Sequence, residues 1–434
     1  MITGTTTSDE LAAWVRDAHQ RAVDLVDDLS DDQLMGPRWP TVNPLRWEIG
    51  HAAWFCEHWI LRHAAGRPPI SRQADELYDS IAIAHETRWD LPLLARDETM
   101  RYVRQVRDGV LEVLDGRKLT EQLVYFVKLG VFHWDMHNEA FTYTRQTLGY
   151  PPPRMSEEPC ETSHAGHAET PPSTSGEVEG DMEIAGGTYL LGAPREEPFV
   201  FDNEKWAHEV VVAPLALART AVTQAQFAAF VDDDGYERRD LWPADGWAWR
   251  CAAGAHHPVY WQRDTGGDWL RRDFDRLVPL EPRRPVMHVN WYEATAYCRW
   301  AGRRLPTEAE WELAASGTQK RRFPWGDDPP TPARASLDWR GMGPAAVDQL
   351  AAGDTDGGRQ MIGGVWEWTS TVLRPFPGFV PDPYEEYSQP CFGRCRVLRG
   401  GCWTTSSRMI RNTWRNFYTP DRRDVWAGFR TCAV

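Results

Sequence analysis

The sequence predicts an α+β protein with a helical first half and a second half of short strands, turns and loops. Apolar residues recur at helical spacing across residues 8–150, whereas from residue 181 short apolar runs alternate with glycine and proline. Between them, residues 151–180 are rich in Pro, Ser, Thr and Glu with few apolar side chains. At 434 residues the chain exceeds the usual limit of a single core, about 250–300 residues. We therefore expect domains at 1–150 and 181–434, joined by a linker at 151–180.

The first half is expected to form a four-helix bundle. Asn43-Pro44 is a favourable pair for opening the second helix, because asparagine caps the free N–H groups and proline suits the first helical position. A long connection, residues 66–95, separates the second helix from the third. Up-and-down bundles of this kind build metal sites from side chains on facing helices. The four predicted helices lie near residues 8–29, 44–66, 96–116 and 120–149.

Three histidines in these helices are candidate metal ligands. His133 and His137 are four residues apart, so their side chains share one helical face, about 6 Å apart at Cβ. His51 lies on the second helix and completes a facial three-nitrogen set if both helices face inward. Such a set leaves coordination positions open for a substrate atom and dioxygen. The alternative, three hydrogen-bonded core histidines, remains open at this point.

The second half is expected to be mostly loops and short strands with three helices. Helices are predicted at Thr223–Val231 and Trp291–Trp300, and a third begins with the capping box Thr307-Glu-Ala-Glu310. The stretches 240–290 and 318–395 are rich in Gly, Pro and Trp and are predicted to be irregular. Loops of this length inside a compact domain are usually functional.

Charge and composition exclude several classes of partner. The formal net charge is −15 without a basic stripe, which argues against nucleic acid and anionic membranes. No window of about 18 apolar residues and no signal peptide are recognisable, so a cytoplasmic protein without membrane contact is expected. The eight cysteines show no zinc-type spacing and are expected to be reduced.

Seven phrases, in order, make the second half resemble the formylglycine-generating-enzyme or sulfatase-modifying-factor domain, which has a C-type-lectin-like fold. The first half, with its three histidines, resembles the DinB-type helical bundle. Fused in this order, the two are similar to the ergothioneine and ovothiol sulfoxide synthases. The phrases are Gly186-Gly-Thr-Tyr-Leu-Leu-Gly192, Val222-Thr-Gln-Ala-Gln-Phe227, Pro285-Val-Met-His-Val-Asn-Trp291, Arg304-Leu-Pro-Thr-Glu-Ala-Glu-Trp-Glu312, Gly364-Val-Trp-Glu-Trp368, Val397-Leu-Arg-Gly-Gly401 and Ala427-Gly-Phe-Arg430.

This resemblance implies a non-haem Fe(II) enzyme, with iron held by His51, His133 and His137. Its relatives use O2 to join a sulfur donor to the imidazole of hercynine, an Nα-trimethylated histidine, in a pocket that the lectin-like domain completes. The segment around residues 412–418 then supplies substrate contacts. Within it, Asn416 matches an asparagine near the hercynine carboxylate and Phe417 matches a tryptophan of the ammonium cage. Trp414 offers a further aromatic face, since a quaternary ammonium is held by aromatic rings.

Three departures from the family pattern bear on the chalcogen donor. Met136 replaces a glutamine that helps to hold the imidazole, and Phe376 falls where relatives carry a proton-delivering tyrosine. Tyr418 stands where γ-glutamylcysteine-using enzymes have an aspartate that pairs with the donor ammonium. A neutral, hydroxyl-rich donor suits Tyr418 better. The combination resembles the selenoneine-synthase branch, in which a selenosugar supplies selenium; a thiol donor such as γ-glutamylcysteine or cysteine is the alternative.

Several further residues are assigned roles with explicit alternatives. Arg88 is the candidate basic residue of the donor site, or else one half of a surface salt bridge. Tyr384, Tyr387 and Tyr418 are candidate proton donors, and the first two are otherwise packing residues of a Pro-rich loop. His58 shares the helical face of His51 and is expected to support the site or the core rather than bind metal.

Two other functions remain compatible with the sequence. A DinB-type thiol transferase would use zinc or nickel and would need no oxygen. A lectin-like binding module would retain the fold without the chemistry, and the three intact histidines argue against it.

Overall fold

The computed structural model describes residues 6–156, 179–350 and 357–434. The chain forms two compact units, Met1–Glu161 and Thr162–Val434. The first unit is helical and the second combines short strands with helices, which confirms the predicted α+β class and its order. Apart from 151–156 and 179–180, the predicted linker lies outside the described residues.

The first unit contains four long helical segments and two short helices. Apolar stripes on the long helices form the core, with Leu11, Ala22, Val103 and Phe141 almost fully buried. The second segment begins as an α-helix and continues without a break as a π-helix, Glu57–Ala64. The α-helices are α1 Ser8–Asp24, α2 Asp31–Met35, α3 Leu45–Cys56, α4 Ala74–Tyr78, α5 Arg96–Gly116 and α6 Glu121–Leu148.

Helix α6 has clear start and stop signals. The Thr120 side chain accepts a hydrogen bond from Leu123 N and so caps the first turn. Gly149 ends the helix at φ 67°, in the left-handed region that glycine adopts readily. The prediction of a helix over 120–149 is therefore confirmed.

The long connection between the second and third long segments is more ordered than the sequence predicts. It contains α4 and a 3₁₀ turn, His85–Thr87. Gly50 permits a close approach of α4, because a Cβ at this position would lie 2.3 Å from the Tyr78 ring. The connection thereby reaches the helix that carries His51.

The second unit is built from four small sheets and four helices among the residues described. Its strands are β1 Asp181–Ile184, β2 Gly187–Leu191, β3 His208–Val212, β4 Leu215–Ala218, β5 Trp261–Arg263, β6 Trp269–Asp273, β7 Arg276–Pro279, β8 Arg303–Arg304, β9 Trp366–Val372, β10 Arg396–Arg399, β11 Asn416–Tyr418, β12 Ala427–Gly428 and β13 Cys432–Ala433. Its helices are α7 Gln224–Asp232, α8 Ala244–Ala253, α9 Trp291–Trp300 and α10 Glu308–Ser316.

The strand order is β1-β4-β13-β8 in one four-stranded sheet and β11-β10-β9-β12 in the other. In the second of these, β10 and β11 are antiparallel, with Val397 opposite Phe417 and Leu398 opposite Asn416. The remaining strands form the pair β2-β3 and the sheet β5-β6-β7. The prediction that residues 240–290 are irregular is wrong, since α8 and β5-β6-β7 occupy this stretch. Strands of three to five residues are too short to show a clear alternation of apolar and polar residues.

Buried ion pairs attach β10 and β11 to α10. The Arg415 guanidinium donates to both carboxylate oxygens of Glu308, at 2.9 and 3.0 Å. Arg399 contacts Glu308 at 3.1 Å and Glu312 at 2.9 Å. A buried charge must keep its partner, because an unpaired charge in the interior is strongly destabilising. The strand that carries Asn416, Phe417 and Tyr418 is thus held firmly in the second unit.

Among the described residues, none of the helices combines the length and apolar composition needed to cross a membrane.

Candidate functional site

His51, on α3, and His133 and His137, on α6, converge in the first unit. One ring nitrogen from each lies within 4.8 Å of the others. The ring centroids are 4.5–5.2 Å apart, and each pair of rings is inclined by 61–76°. Nitrogen donors lie about 2.0–2.1 Å from a bound metal, so a contraction of the cluster would satisfy a facial site. Three inclined rings with converging nitrogens fit a metal ion.

In His51 and His137, the Nδ1 atom, which is the outer ring nitrogen, contacts a neighbouring oxygen that fixes the orientation of the ring. His51 Nδ1 lies 2.8 Å from the Tyr78 carbonyl, which can only accept, so this nitrogen carries the proton and Nε2 keeps its lone pair. His137 Nδ1 lies 2.7 Å from Glu48 Oε1. Metal-binding histidines usually donate their other N–H group in this way, which sets the ring orientation and raises ligand basicity.

Burial keeps the imidazoles of His51 and His133 neutral. It lowers the pKa of His51 and of His133 well below 6.5, and the proximity of His137 lowers both further. A neutral imidazole is the form that binds a metal ion, whereas a protonated one has no lone pair to donate.

Aromatic rings hold the histidine rings in place. Phe55 stacks on His133 with centroids 3.7 Å apart and planes within 5°, and Trp47 stacks on His51 at 5.0 Å and 4°. Gly130 allows α6 to approach the π-helix that continues α3, because a Cβ there would lie 2.8 Å from Ile60 Cδ1. The rings are thus positioned by packing as well as by hydrogen bonds.

Arg88 is connected to two of the three histidines through intermediate residues. Its Nη1 donates to Asn43 Oδ1 at 2.7 Å, and Asn43 Nδ2 donates to Glu48 Oε2 at 3.2 Å. The other oxygen of Glu48 contacts His137. The Arg88 guanidinium also lies 3.9 Å from the centroid of the Trp47 ring, whose other neighbour is His51.

The hydrogen bonds that the structure gives for Arg88 go to neutral oxygens, so they do not favour the alternative of a surface salt bridge. Its Nη2 donates to the carbonyls of Ser80 and Ile83, both at 3.3 Å, and its side chain is partly buried. Its predicted role in donor binding stays a prediction.

Met136 and His58 lie close to the cluster in sequence but contribute no ligand. Met136 is partly buried on α6 beside His137. His58 lies in the π-helix, where its ring packs 5.2 Å from Trp54. Within the described parts of the chain, His51, His133 and His137 form the one group of three or more His, Cys, Asp or Glu residues with converging ligand atoms.

The predicted substrate-binding aromatics form a cluster in the second unit. Tyr387 lies 5.6 Å from Phe417 and stacks on Phe201 at 4.5 Å, and Trp414 is 6.3 Å from Phe201. Burial of its hydroxyl raises the pKa of Tyr387. Tyr384 lies 6.2 Å from Tyr387 at the edge of this cluster.

The neighbouring predicted residues on β11 have polar surroundings. Asn416 Oδ1 accepts a hydrogen bond from Phe417 N, and Tyr418 has the Arg422 guanidinium 5.1 Å from its ring centroid. Both side chains are partly exposed. Arg422 is itself paired with Asp424 at 2.7 Å.

Phe376 belongs to the core of the second unit. It is 6% exposed, packs in a core cluster with Tyr189 and Trp311, and lies under the Arg415 guanidinium at 4.0 Å. The prediction that Phe376 takes the position of the proton-delivering tyrosine stays a prediction, and its observed contacts are those of a packing residue.

Four residues of the histidine site were not identified from the sequence: Glu48, Tyr78, Trp47 and Phe55. Glu48 has a signal in retrospect, because it precedes His51 by three residues and so shares its helical face. The Tyr78 carbonyl had none, since a backbone group contributed by a connecting segment leaves no trace in residue type.

Comparison with known proteins agrees with this division of the chain. Residues 166–433 match the family model described as the sulfatase-modifying factor enzyme 1-like domain. Residues 7–130 match the model of the DinB superfamily. Both halves of the predicted fold are therefore confirmed.

Relatives extend over nearly the whole chain. Hercynine oxygenase of Mycolicibacterium thermoresistibile is 39% identical over 97% of this chain and 94% of its own length. Hercynine oxygenase of Mycolicibacterium smegmatis is 35% identical over 99% of both chains. The formylglycine-generating enzyme of Streptomyces coelicolor is 35% identical over 63% of this chain and 94% of its own.

These relatives confirm the prediction of an enzyme of the oxidoreductase class. The chain belongs to the sulfatase-modifying factor enzyme 1-like family and, within it, to the group that includes the mycobacterial hercynine oxygenases, which match it across both domains.

Proposed function

We propose that this protein is a non-haem Fe(II) enzyme that uses O2 to join a chalcogen donor to the imidazole of hercynine. The observation that carries the proposal is the convergence of His51, His133 and His137, with ring nitrogens within 4.8 Å of one another. The relatives named hercynine oxygenase, 35–39% identical over nearly the full chain, support hercynine as the acceptor.

Three neutral nitrogen ligands suit this chemistry. A ferrous ion bound to them would supply electrons to dioxygen and would retain open positions for an anionic sulfur or selenium atom. The chain's own contribution is to hold the ligands. The Tyr78 carbonyl orients the ring of His51, and the Glu48 carboxylate orients that of His137. The stacked rings of Trp47 and Phe55 restrict the movement of the His51 and His133 rings, respectively.

Hercynine binding is assigned to the aromatic cluster of the second unit. A trimethylammonium group cannot donate a hydrogen bond and is attracted by aromatic faces, and the partly exposed Phe417 ring offers one. Trp414 is 2% exposed and contributes to the cluster from its buried side. Asn416 uses its carbonyl oxygen for Phe417 N, which leaves its NH2 group as the donor for a carboxylate.

Tyr387 is the proton donor best supported by its surroundings. Its ring lies 5.6 Å from Phe417, in the cluster assigned to hercynine, and its hydroxyl is protonated at neutral pH, so it has a proton to deliver. Tyr384 and Tyr418 remain the alternative proton donors.

A selenosugar is the proposed donor, and the product would be a selenoxide of the selenoneine pathway. The support is Tyr418, which carries no negative charge where a donor ammonium would require one, and whose ring centroid lies 5.1 Å from the cationic guanidinium of Arg422. A thiol donor, γ-glutamylcysteine or cysteine, is the alternative and would make the protein an ergothioneine-pathway sulfoxide synthase.

The test is aerobic incubation of Fe(II)-loaded protein with hercynine and one donor at a time: selenoglucose, γ-glutamylcysteine or cysteine. We expect oxygen-dependent formation of a hercynine adduct, detected by mass spectrometry, with selenoglucose giving the highest kcat/KM. A preference for γ-glutamylcysteine would overturn the selenium assignment and retain hercynine oxidation.

Anaerobic reactions provide the control for the class of chemistry. A DinB-type thiol transferase would turn over without O2 and with zinc in place of iron. Equal product with and without O2 would therefore overturn the oxygenase proposal.

Tyr418→Asp tests the donor argument directly. The new carboxylate is expected to raise kcat/KM for γ-glutamylcysteine by about tenfold, since a hydrogen-bonded charge pair contributes about 1.5–3 kcal/mol, and to lower it for selenoglucose. Val380→Asp adds the same charge at an exposed position outside β11, which has no assigned role, and serves as the matched control. An unchanged ranking of donors in Tyr418→Asp would remove Tyr418 from the donor site.

A further inference from the structure

Two cysteines of the second unit lie one turn apart. Cys391 ends a 3₁₀ helix, Gln389–Cys391, and Cys395 directly precedes β10. Cys395 N donates to the Cys391 carbonyl at 3.0 Å, which closes the turn, and Gly393 provides the left-handed residue within it at φ 77°. A turn closed by an i→i+4 hydrogen bond brings its two ends close together, as a disulfide requires, since disulfides accept Cα separations of about 4.4–6.8 Å.

The two thiols contact each other and differ in exposure. Their side chains are hydrogen-bonded, with Cys391 partly exposed and Cys395 2% exposed. The Cys395 S–H donates to the Cys391 sulfur, which lowers the pKa of Cys391 and raises that of Cys395. The nearby Arg394 guanidinium also favours the Cys391 thiolate.

The turn is anchored on both sides. Leu373 N donates to the Cys395 carbonyl at 2.9 Å, and Gly393 N donates to the Leu373 carbonyl at 2.9 Å. Cys391 packs against an apolar cluster that contains Leu373, Cys395 and Val397. The two sulfur atoms are therefore held together by backbone structure and do not meet by chance.

The other thiols of the described residues have different surroundings. Burial raises the pKa of Cys56, Cys298 and Cys432, which makes them poor nucleophiles. Cys251 is exposed on α8 and is recorded without a disulfide partner. It is a suitable internal reference for a solvent-accessible cysteine.

We propose that Cys391 and Cys395 form a reactive dithiol that closes to a disulfide by exchange with a small-molecule disulfide. The Cys391 thiolate attacks one sulfur of the disulfide and releases one thiolate, which leaves a mixed disulfide on Cys391. Cys395 then loses its proton to solvent, attacks the Cys391 sulfur and releases the second thiolate. Two protein thiols are oxidised and one disulfide is reduced to two thiols. The exchange itself requires neither iron, oxygen nor hercynine.

The experiment uses the reduced full-length protein, without added iron and under anaerobic conditions, with oxidised glutathione as the oxidant. Peptide mapping by mass spectrometry is expected to find a Cys391–Cys395 disulfide that has lost two hydrogen atoms. Cys395→Ser is expected to stop at a glutathione adduct on Cys391, and Cys391→Ser to leave Cys395 unmodified. Cys251→Ser is the matched control and is expected to close the disulfide normally.

The rate of the first step separates this proposal from simple exposure. Cys391 is expected to react with iodoacetamide at least about fivefold faster than Cys251, because the thiolate is the attacking species. Slower alkylation of Cys391 than of Cys251, or no glutathione adduct in a folded Cys395→Ser protein, would overturn the proposal. Thermal unfolding of each variant verifies that it is folded.

Discussion

His51→Ala is expected to abolish iron binding and aerobic turnover. The substitution removes one of three converging nitrogens and the sole ligand contributed by α3, so the remaining two, both on α6, cannot enclose an ion. Loss of a partner that merely orients a ligand already costs about 10–100-fold in affinity. Loss of the ligand itself should decrease the iron affinity by more than this. Iron per protein chain, measured after anaerobic loading and desalting, is the readout.

His58→Ala is the matched control for this variant. It removes an imidazole from the same helical segment, seven residues further on, which packs against Trp54 and lies outside the cluster. We expect it to keep its full iron content. An iron content of His51→Ala equal to that of the unaltered protein would refute the site, and equal losses in both variants would indicate general damage to the helix.

Glu48→Ala is expected to weaken metal binding by about 10–100-fold while leaving all three ligands in place. The Glu48 carboxylate is 2% exposed and contacts His137 Nδ1 at 2.7 Å. Without it, the outer nitrogen of His137 loses its partner, and the ring is free to turn away from the other two. Titration with Co(II), followed by its visible absorption, measures both the affinity and the geometry of the site. Glu48→Gln retains an acceptor oxygen and is expected to lose less metal affinity than Glu48→Ala.

Glu57→Gln supplies the comparison for damage to the fold. Glu57 is also a buried glutamate of this helical segment, but it accepts hydrogen bonds from Tyr102 and Ile70 instead of from a histidine. The Glu57→Gln variant should have a lower thermal stability but an unchanged Co(II) spectrum. A Glu48→Ala protein that binds Co(II) as tightly as the unaltered protein would show that this carboxylate does not support the site.

Local sequence signals were sufficient where neighbouring residues determine the outcome. Thr120 and Gly149 delimit α6, and the spacing of His133 and His137 places both on one face of it. The prediction of long helices in the first half is confirmed for the same reason. The stretch 240–290 was misjudged, because its three short strands derive their stability from pairing with one another.

The order of helices and strands, the candidate ligands and the family resemblance followed from the sequence, because capping, periodicity and motif spacing are local properties. The partners of those ligands were decided by the tertiary structure. Tyr78 contributes a backbone carbonyl from a connection predicted to be loop, and Arg88 reaches His137 only through Asn43 and Glu48. Contacts of this kind depend on the packing of distant segments, which residue type and spacing do not encode.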